Sequence, residues 1–159
     1  MLVYPKKSEN THMIVYIDMD NTLCDYTVGF HAHKRRHPTQ DFPQSIPGLY
    51  RGLSPVKGAV ESFQWLTSQP SFDVYILTAP SVRNPHCYSE KRTWVEEHLG
   101  LQAAYKLIIS PNKGLNRGDF LIDDNISGKG QEAFEGKIIH FGSNEYPDWP
   151  SVIDFFKTK

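Results

Sequence analysis

The sequence has little of what several classes of protein require. Its two cysteines, Cys24 and Cys87, are too few for a disulfide scaffold. No apolar run approaches the roughly 18 residues that a membrane-spanning helix needs. Neither sign of charge dominates, because 17 Lys and Arg stand against 18 Asp and Glu, for a formal net charge of −1. A nucleic-acid coat or a membrane-surface protein would carry a basic face, so both classes are disfavoured, whereas a local basic pocket for a small anion is still allowed.

The remaining composition is ordinary for one compact domain. The chain has 159 residues, of which 39% are hydrophobic and 22% charged, so it can bury a core without disulfides or structural zinc. With reduced thiols as the default and no recognisable signal peptide, we expect a cytoplasmic protein. Residues 1–13 are polar for most of their length, and we expect a disordered segment there, ahead of a single domain over residues 14–159.

Short apolar runs alternate with helical patterns along the chain. Strands are predicted at 14–17, 72–77, 105–109, 119–122 and 137–141. Helices are predicted at 26–36, 89–99 and 150–157, and another opens at Ser54-Pro55, where serine suits the N-cap and proline the first turn. This alternation indicates an α/β fold with a doubly wound, mainly parallel five-stranded sheet of Rossmann-like type, covered on both faces. Residues 25–53, rich in His, Pro, Lys and Arg, are predicted to form a small, mostly helical cap insertion.

Polar side chains follow the predicted strands where those strands end. Asp18 comes directly after the first strand, Thr78 after the second and Asp123 after the fourth. Strands in a core do not need carboxylates at their ends, and ligands of open parallel sheets bind outside the carboxyl ends of the strands. The pattern therefore indicates a functional site at this edge of the sheet.

The segment Asp18-Met19-Asp20-Asn21-Thr22 places two carboxylates two residues apart behind a buried strand. One carboxylate can attack a phosphorus atom, while the other can donate a proton to the leaving oxygen and then take one from water. The turn between them presents backbone N–H groups that can hold an anion. The alternative is a turn with a local cap and solvated charges, but its position after a buried strand favours the functional interpretation.

Three further features support a phosphate site. Asp123-Asp124, after an apolar strand, would supply oxygen ligands for a hard divalent ion, above all Mg²⁺, which offsets the repulsion between carboxylates and phosphate. Thr78 offers a hydroxyl donor, and Lys113 can screen the charge of the nucleophile and of the phosphate. Each of these features alone has an ordinary alternative. Asp123-Asp124 could be an exposed acidic turn, Thr78 a threonine of the kind common at strand ends, and Lys113 a solvated lysine.

These four segments, in this order, resemble the four motifs of the haloacid dehalogenase superfamily of phosphohydrolases. The resemblance implies phosphotransfer through an aspartyl-phosphate on Asp18, with Asp20 as general acid and base. It implies Mg²⁺ bound by the carboxylates of Asp18 and Asp123 and by the main-chain carbonyl of Asp20. Asp124 would hold a metal-bound water or steady the site. The implied phosphate-binding residues are Asn21, Thr78, Ala79 and Lys113.

A closer resemblance is to the 5′(3′)-deoxyribonucleotidase family. It is carried by DMDNTLCDY near the start, LSPVKGAVES at 53–62, CYSEKRTWVEEHLG at 87–100 and SPNKGLNRGDFLIDD at 110–124. The chain departs from the family in two places: Thr78-Ala79-Pro80 stands where Thr-Ser-Pro is usual, and the cap is shorter. Tyr26 stands where family members carry an aromatic residue that stacks on the nucleobase, which implies a substrate-binding role. Packing within the cap is the alternative for Tyr26.

Other side chains have weaker claims on the site. Phe42 and Tyr50 are candidates for the same aromatic wall, and Arg83 is a candidate for a phosphate contact. His33 and His37 would share a helix face, where cap packing or solvent contact is favoured over a metal site. Solvent contact or packing is also favoured for residues 34–36, Trp65 and Trp94.

The leading interpretation is a Mg²⁺-dependent phosphatase that hydrolyses (deoxy)nucleoside monophosphates to nucleoside and phosphate. One alternative keeps the chemistry and changes the substrate to a sugar phosphate or another small phosphometabolite. Another is a non-catalytic nucleotide-binding protein on the same fold. We expect the partner to be a small phosphate ester rather than a nucleic-acid polymer or a membrane, and a homodimer is left open.

Overall fold

A five-stranded parallel sheet forms the centre of the molecule. The computed structural model describes residues 12–159, so the predicted disordered segment lies, up to residue 11, outside the described residues. The strands are β1 Met13–Ile17, β2 Phe72–Thr78, β3 Leu107–Ile109, β4 Phe120–Asp123 and β5 Lys137–His140. All neighbouring strands are parallel, in the order β3-β2-β1-β4-β5. The predicted α/β fold with a Rossmann-like parallel sheet is confirmed.

Helices and short turns connect the strands. The α-helices are α1 Tyr26–Arg36, α2 Ala59–Ser68, α3 His86–Leu99, α4 Leu101–Ala104 and α5 Trp149–Phe156. Three 3₁₀ turns lie at Pro43–Ser45, Lys113–Leu115 and Gln131–Ala133. None of the helices between residues 12 and 159 has the length and apolar content to span a membrane.

The strand order reverses beside β1. From β1 the chain runs outward to β2 and β3, then returns to the other side of β1 as β4 and continues to β5. β1 and β4 are therefore neighbours, with Ile17 opposite Ile122, and the chain leaves them toward opposite edges of the sheet. The crevice outside the carboxyl ends of the strands at such a reversal is where open α/β sheets bind ligands.

The core is divided by the sheet into two parts of unequal size. Val15 and Ile17 face a large cluster that includes buried residues of α2, α3 and α5. Tyr16 points to the other face of the sheet and belongs to a small cluster there. Among residues 12–159, this cluster contains no residue of an α-helix. Phe134, just after the 3₁₀ turn Gln131–Ala133, packs there instead. Among the described residues, α-helices therefore pack on one face of the sheet, whereas the connections on either side of β4 contain the 3₁₀ turns Lys113–Leu115 and Gln131–Ala133.

α2 begins later than the sequence predicts. Ser54-Pro55 does not open the helix, because Pro55 forms a β-bridge with Cys24 and the Asp25 N–H donates to the Ser54 carbonyl over 2.8 Å. These bonds tie the end of the cap segment to its beginning. The helix starts behind Gly58, which has the left-handed φ of 79° that favours glycine.

The other predicted elements differ from the structure by three residues or fewer. α3 starts at His86 instead of residue 89, and β3 starts at residue 107 because Tyr105 belongs to the end of α4. α5 starts at Trp149, since the Asp148 side chain caps the helix by accepting the Ser151 N–H over 3.0 Å.

α5 also supports the loop that follows β1. Trp149 is fully buried, and its Nε1–H donates to the carbonyl of Thr22 over 2.9 Å. Thr22 is the last residue of the paired-carboxylate segment. A helix at the end of the chain therefore fixes the backbone of the segment that carries the two predicted catalytic aspartates.

Candidate active site

Two buried carboxylates stand at the reversal point of the sheet. Asp18 follows β1 and Asp123 is the last residue of β4, and their side chains are 7% and 0% exposed. The Asp18 N–H donates to the Ile122 carbonyl over 2.8 Å, so backbone pairing of the two strands continues up to Asp18 itself. The parallel register thus brings the predicted nucleophile beside a predicted metal ligand.

Lys113 joins these two carboxylates. Its Nζ lies 2.6 Å from Asp18 Oδ1 and 2.5 Å from Asp123 Oδ2, and its side chain is 2% exposed. The Asn112 side chain caps the 3₁₀ turn that carries Lys113. Burial lowers the pKa of Lys113, but the two carboxylates outweigh that effect and leave its pKa raised, so the ammonium stays charged.

Asp124 completes an acidic cluster. Carboxylate oxygens of Asp18, Asp123 and Asp124 lie within 4.8 Å of one another. Burial raises the pKa of all three groups, and for Asp124 burial together with the charges of the other two raises the pKa to about 7. Three crowded oxygen donors with a single ammonium between them suit a divalent cation.

Asn21 makes several of the hydrogen bonds that hold the loop behind β1. This residue has a left-handed φ of 61°, and its N–H donates to the Cys24 carbonyl over 2.7 Å. Its Oδ1 accepts the Thr27 N–H over 2.9 Å, while its Nδ2 donates to Asp124 Oδ2 over 3.4 Å. Since the protein already uses these groups, Asn21 joins the loop, α1 and the acidic cluster, and the phosphate contact predicted for it stays a prediction.

A second buried lysine, Lys91 on α3, binds the other carboxylate of the segment. Its Nζ lies 3.0 Å from Asp20 Oδ2, 2.8 Å from Thr78 Oγ1 and 2.8 Å from the Ala79 carbonyl. The Lys91 side chain is 0% exposed, whereas that of Asp20 is 28% exposed. Burial lowers the pKa of Lys91, but the carboxylates of Asp20 and Asp18 outweigh it, so the pKa is raised and the ammonium is charged.

Sequence reasoning missed Lys91, although the sequence contains a signal for it. Lys91 lies one helical turn from Cys87 and from Trp94, both fully buried, so the helical period places it on the core face of α3. Gln131 was missed as well. Its Nε2 donates to Asp123 Oδ2 over 3.1 Å, and no motif or periodicity distinguishes it in the sequence.

The carboxylates of Asp18, Asp20, Asp123 and Asp124, together with Lys113, form the floor of a cavity of about 460 Å³. Residues of the predicted cap segment form one wall of it. In that wall the rings of Tyr26 and Tyr50 stack with centroids 5.9 Å apart and planes 23° apart. Burial, and after it the charge of Asp20, raises the pKa of Tyr26 to about 12, so its hydroxyl stays neutral at physiological pH. The cavity therefore has a charged floor and an aromatic side.

The structure brings nearly all the predicted site residues to this one cavity. Those that line it are Asp18, Asp20, Asn21, Tyr26, Ala79, Lys113, Asp123 and Asp124. Thr78 is fully buried next to Ala79, with its hydroxyl oxygen accepting a bond from Lys91. Their roles in catalysis and binding remain predictions.

The weaker candidates divide into two groups. Tyr50 and Arg83 line the cavity, whereas Phe42 is 52% exposed and lies outside it, 5.2 Å from the guanidinium of Arg83. The rings of His33 and His37 are 4.6 Å apart, and they belong to no group of potential metal ligands found within residues 12–159.

The tryptophans predicted to pack do so. Trp94 is fully buried and its Nε1–H donates to the Leu53 carbonyl over 2.7 Å, which joins α3 to the end of the cap. Trp65 is partly buried against the main core cluster. Neither lines the cavity.

Comparison with known proteins identifies the family. Residues 40–147 match the model of the family described as 5′ nucleotidase, deoxy (pyrimidine), cytosolic type C protein. The chain is 39% identical to a protein of Vibrio phage KVP40, provisionally named a 5′(3′)-deoxyribonucleotidase, over 92% of this chain and 85% of that protein. The chain belongs to the 5′(3′)-deoxyribonucleotidase family. Another member, the cytosolic-type 5′(3′)-deoxyribonucleotidase of Homo sapiens, is 28% identical over 87% of this chain and 78% of the human protein.

Solved structures place this deoxyribonucleotidase-family chain in the wider haloacid dehalogenase fold. A hydrolase of that superfamily from Bacillus subtilis, solved with magnesium, superposes with a TM-score of 0.54 at 14% identity, covering 86% of this chain and 90% of its own. One from Deinococcus radiodurans, solved with phosphate and sodium, gives a TM-score of 0.52 at 10% identity, covering 92% and 88%. The resemblance to the 5′(3′)-deoxyribonucleotidase family is confirmed by the family model and the phage relative, and the fold is that of haloacid dehalogenase hydrolases.

The acidic cluster predicts that the stability of the protein depends on pH and on a divalent metal. Because the pKa of Asp124 is raised from 3.8 to about 7, the folded protein binds a proton there that the unfolded chain has lost. The free energy of unfolding therefore falls as pH rises through this interval. In a chelator, Asp124→Asn should raise Tm, and by more at about pH 8 than at about pH 5, in thermal unfolding followed by circular dichroism.

The exposed Asp154, which pairs with the exposed Lys157, provides the control: Asp154→Asn should leave Tm unchanged at both pH values. Addition of Mg²⁺ should raise Tm of the wild type more than Tm of Asp124→Asn, because a ligand that binds only the folded state stabilises it. An equal gain at the two pH values would contradict the raised pKa of Asp124, and an equal response to Mg²⁺ would contradict its part in holding the ion.

Proposed function

We propose that this chain hydrolyses (deoxy)nucleoside monophosphates to nucleoside and phosphate. Membership of the 5′(3′)-deoxyribonucleotidase family supports a phosphoric monoester hydrolase. The observation that carries the proposal is the cavity itself. In it the carboxylates of Asp18, which is hydrogen-bonded to Lys113, and of Asp20, which is hydrogen-bonded to Lys91, lie below an aromatic wall. A phosphate on this floor directs the rest of the substrate toward that wall.

Asp18 is the proposed nucleophile. Lys113 holds one of its oxygens at 2.6 Å, which fixes the direction of the carboxylate. In the first step an Asp18 oxygen forms a bond to phosphorus, the bond from phosphorus to the nucleoside oxygen breaks, and Asp20 gives that oxygen a proton. In the second step a water oxygen bonds to phosphorus, the bond to Asp18 breaks, and Asp20 takes the proton from water.

Asp20 suits the proton-transfer role better than Asp18 does. Its side chain is 28% exposed and lines the cavity, whereas the side chain of Asp18 is 7% exposed. Lys91 donates to Asp20 Oδ2, and the Cys24 thiol donates to Oδ1 over the longer distance of 3.7 Å. Asp20 therefore combines a fixed orientation with access to the leaving oxygen and to water.

The acidic cluster is the proposed binding site of Mg²⁺. The carboxylates of Asp18 and Asp123 and the main-chain carbonyl of Asp20 would hold the ion, and Asp124 would act through a metal-bound water or steady the site. When bound, the ion neutralises charge on the phosphate and holds it near the nucleophile. The hard oxygen donors and the crowding of three carboxylates support this choice.

The proposed phosphate-binding donors lie in the segments that follow β3 and β2. Lys113 lies between Asp18 and Asp123 and supplies positive charge beside the phosphate. Beyond β2, Ala79 lines the cavity, and the preceding Thr78 is fully buried. The Ala79 side chain cannot replace the hydroxyl that serine offers at this position in the family, so its backbone is the proposed contact.

The aromatic wall supports a nucleotide over a sugar phosphate as substrate. Tyr26 and Tyr50 present stacked rings beside the cavity, and a nucleobase can stack on such a surface. A sugar phosphate would gain little from it. Location in the cytoplasm and a homodimeric state remain predictions.

Substitutions of the two aspartates test the chemistry. Asp18→Asn should abolish release of phosphate from a panel of nucleoside monophosphates, because an amide is a poor nucleophile. Asp20→Asn should bind substrate but lose roughly 10²–10⁴-fold in kcat, the usual contribution of general acid–base catalysis. Glu97→Gln on the exposed side of α3 is the control and should retain full activity. Full activity of either aspartate variant would refute the assignment.

Removal of the Tyr26 ring tests the substrate class. Stacking of a base on an aromatic ring contributes about 1–3 kcal/mol, so Tyr26→Ala should raise KM for nucleoside monophosphates by about 5–150-fold. Hydrolysis of β-glycerophosphate, which has no base, should hardly change. The exposed Tyr105 supplies the control, and Tyr105→Ala should behave as wild type. If the wild type cleaves sugar phosphates and no nucleotide, the proposed substrate is wrong.

A further inference from the structure

Lys91 is a buried cation whose three N–H donors are all used within the site. They bond to Asp20 Oδ2, Thr78 Oγ1 and the Ala79 carbonyl at 2.8–3.0 Å, and an ammonium group has no further donor to offer. Its Nζ also lies 4.9 Å from the centroid of the Tyr50 ring. Burial of a charge is destabilising unless the charge is paired and hydrogen-bonded. The Lys91 ammonium has partners for all its N–H groups, but its desolvation still costs free energy.

The neighbours of Lys91 on α3 show that packing alone does not require a lysine there. Cys87, Trp94 and Val95, one turn away on the same face, are apolar and fully buried. An unbranched apolar side chain such as methionine would fill a similar volume without the cost of desolvation. The positive charge of Lys91 is therefore explained by its contacts with Asp20, Thr78 and Ala79 and not by packing.

The bonds of Lys91 fix the direction of two of those groups. Because Thr78 Oγ1 accepts a hydrogen bond from the ammonium, the proton of that hydroxyl points away from Lys91 and is left for another acceptor. Because Asp20 Oδ2 is held at 3.0 Å, the other oxygen, Oδ1, has a defined position as well. The Lys91 ammonium thus fixes the position of the Asp20 carboxylate relative to the hydroxyl of Thr78.

The two buried lysines divide the carboxylates between them. Lys113 bonds to Asp18 and Asp123, whereas Lys91 bonds to Asp20, and the two ammonium groups share no hydrogen-bond acceptor among residues 12–159. Removal of Lys91 should therefore affect proton transfer and leave the nucleophile paired. This separation makes the contribution of Lys91 measurable.

We propose that Lys91 is the positioning residue for proton transfer: it holds the Asp20 carboxylate against the end of β2 so that Asp20 faces the leaving oxygen of the bound phosphate ester. The proposal rests on the proposed role of Asp20 as general acid and base. Lys91 does not line the cavity, and it acts through its hydrogen bond to Asp20, with a secondary effect on Thr78.

The test compares leaving groups in Lys91→Met. Departure of a nucleoside oxygen needs a proton, whereas departure of p-nitrophenolate hardly does, so kcat/KM should fall much more for deoxyuridine monophosphate than for p-nitrophenyl phosphate. We expect the two losses to differ by at least about tenfold, within the roughly 10²–10⁴-fold that general acid catalysis supplies. In an Asp20→Asn background, Lys91→Met should cause little further loss.

Arg92→Met is the matched control, because Arg92 is the next residue of α3 and its exposed side chain pairs with Glu96 on the same helix. It should leave both kcat/KM values unchanged. Lys91→Gln keeps two N–H donors in a similar volume and serves if Lys91→Met does not fold. It should show a smaller loss with the same dependence on leaving group.

Equal losses for the two substrates, or additive losses in the Asp20→Asn background, would overturn the proposal, since a general structural defect does not discriminate between leaving groups. β-Glycerophosphate, an alkyl ester without a base, separates this result from failure of the proposed function. If the wild type cleaves β-glycerophosphate but no nucleotide, the substrate assignment fails, and the comparison of β-glycerophosphate with p-nitrophenyl phosphate still decides the role of Lys91.

Discussion

The ion pairs of Lys113 with Asp18 and Asp123 join the two strands at which the sheet reverses its order. Parallel pairing brings the carboxyl ends of β1 and β4 side by side, so carboxylates placed there repel each other in a buried volume. Without the ammonium, two nearly unexposed carboxylates would lie beside each other with no cation between them, at a cost of several kcal/mol. The pKa of the adjacent Asp124 is raised to about 7, first by burial and then by the charges of Asp18 and Asp123. Three carboxylates around one ammonium favour a divalent cation, and such a cation would in turn offset the repulsion between the carboxylates and a phosphate.

The cap is placed over this floor by side chains of the core. The Asn84 Nδ2 donates to the carbonyls of Gln44 and Ile46 over 3.1 and 3.2 Å. The Glu90 carboxylate accepts the N–H groups of Gly48 and Tyr50 over 2.5 and 3.2 Å. Glu90 thus sets the backbone of an aromatic wall residue, while the next residue of the same helix, Lys91, holds Asp20. α3 therefore relates the wall that would bind the base to the group that would transfer the proton.

The strands and the residues at their ends could be predicted because both follow from local rules. Apolar runs gave all five strands to within two residues, and the clustering of Asp18, Asp123 and Lys113 followed from the geometry of parallel sheets together with the motif resemblance. Features that depend on tertiary contacts could not be predicted in this way. Ser54-Pro55 has the chemistry of a helix start, but pairing of that segment with residues 24–25 overrides it. Lys91 belongs to none of the four superfamily motifs, although it lies in the segment 87–100 that carries the closer resemblance, and its helical phase beside buried neighbours is the signal of its burial.

We expect the Asp18 carboxylate, which Lys113 holds at 2.6 Å, to become covalently phosphorylated during turnover. The most direct measurement is to quench the wild-type enzyme with acid during hydrolysis of a nucleoside monophosphate, digest it, and locate the added phosphoryl group by mass spectrometry. We expect the phosphoryl group on Asp18, in a linkage that hydroxylamine cleaves, as for an acyl phosphate. A phosphoryl group on any other residue, or turnover with inversion of configuration at phosphorus, would contradict the claim, because two successive displacements at phosphorus retain configuration.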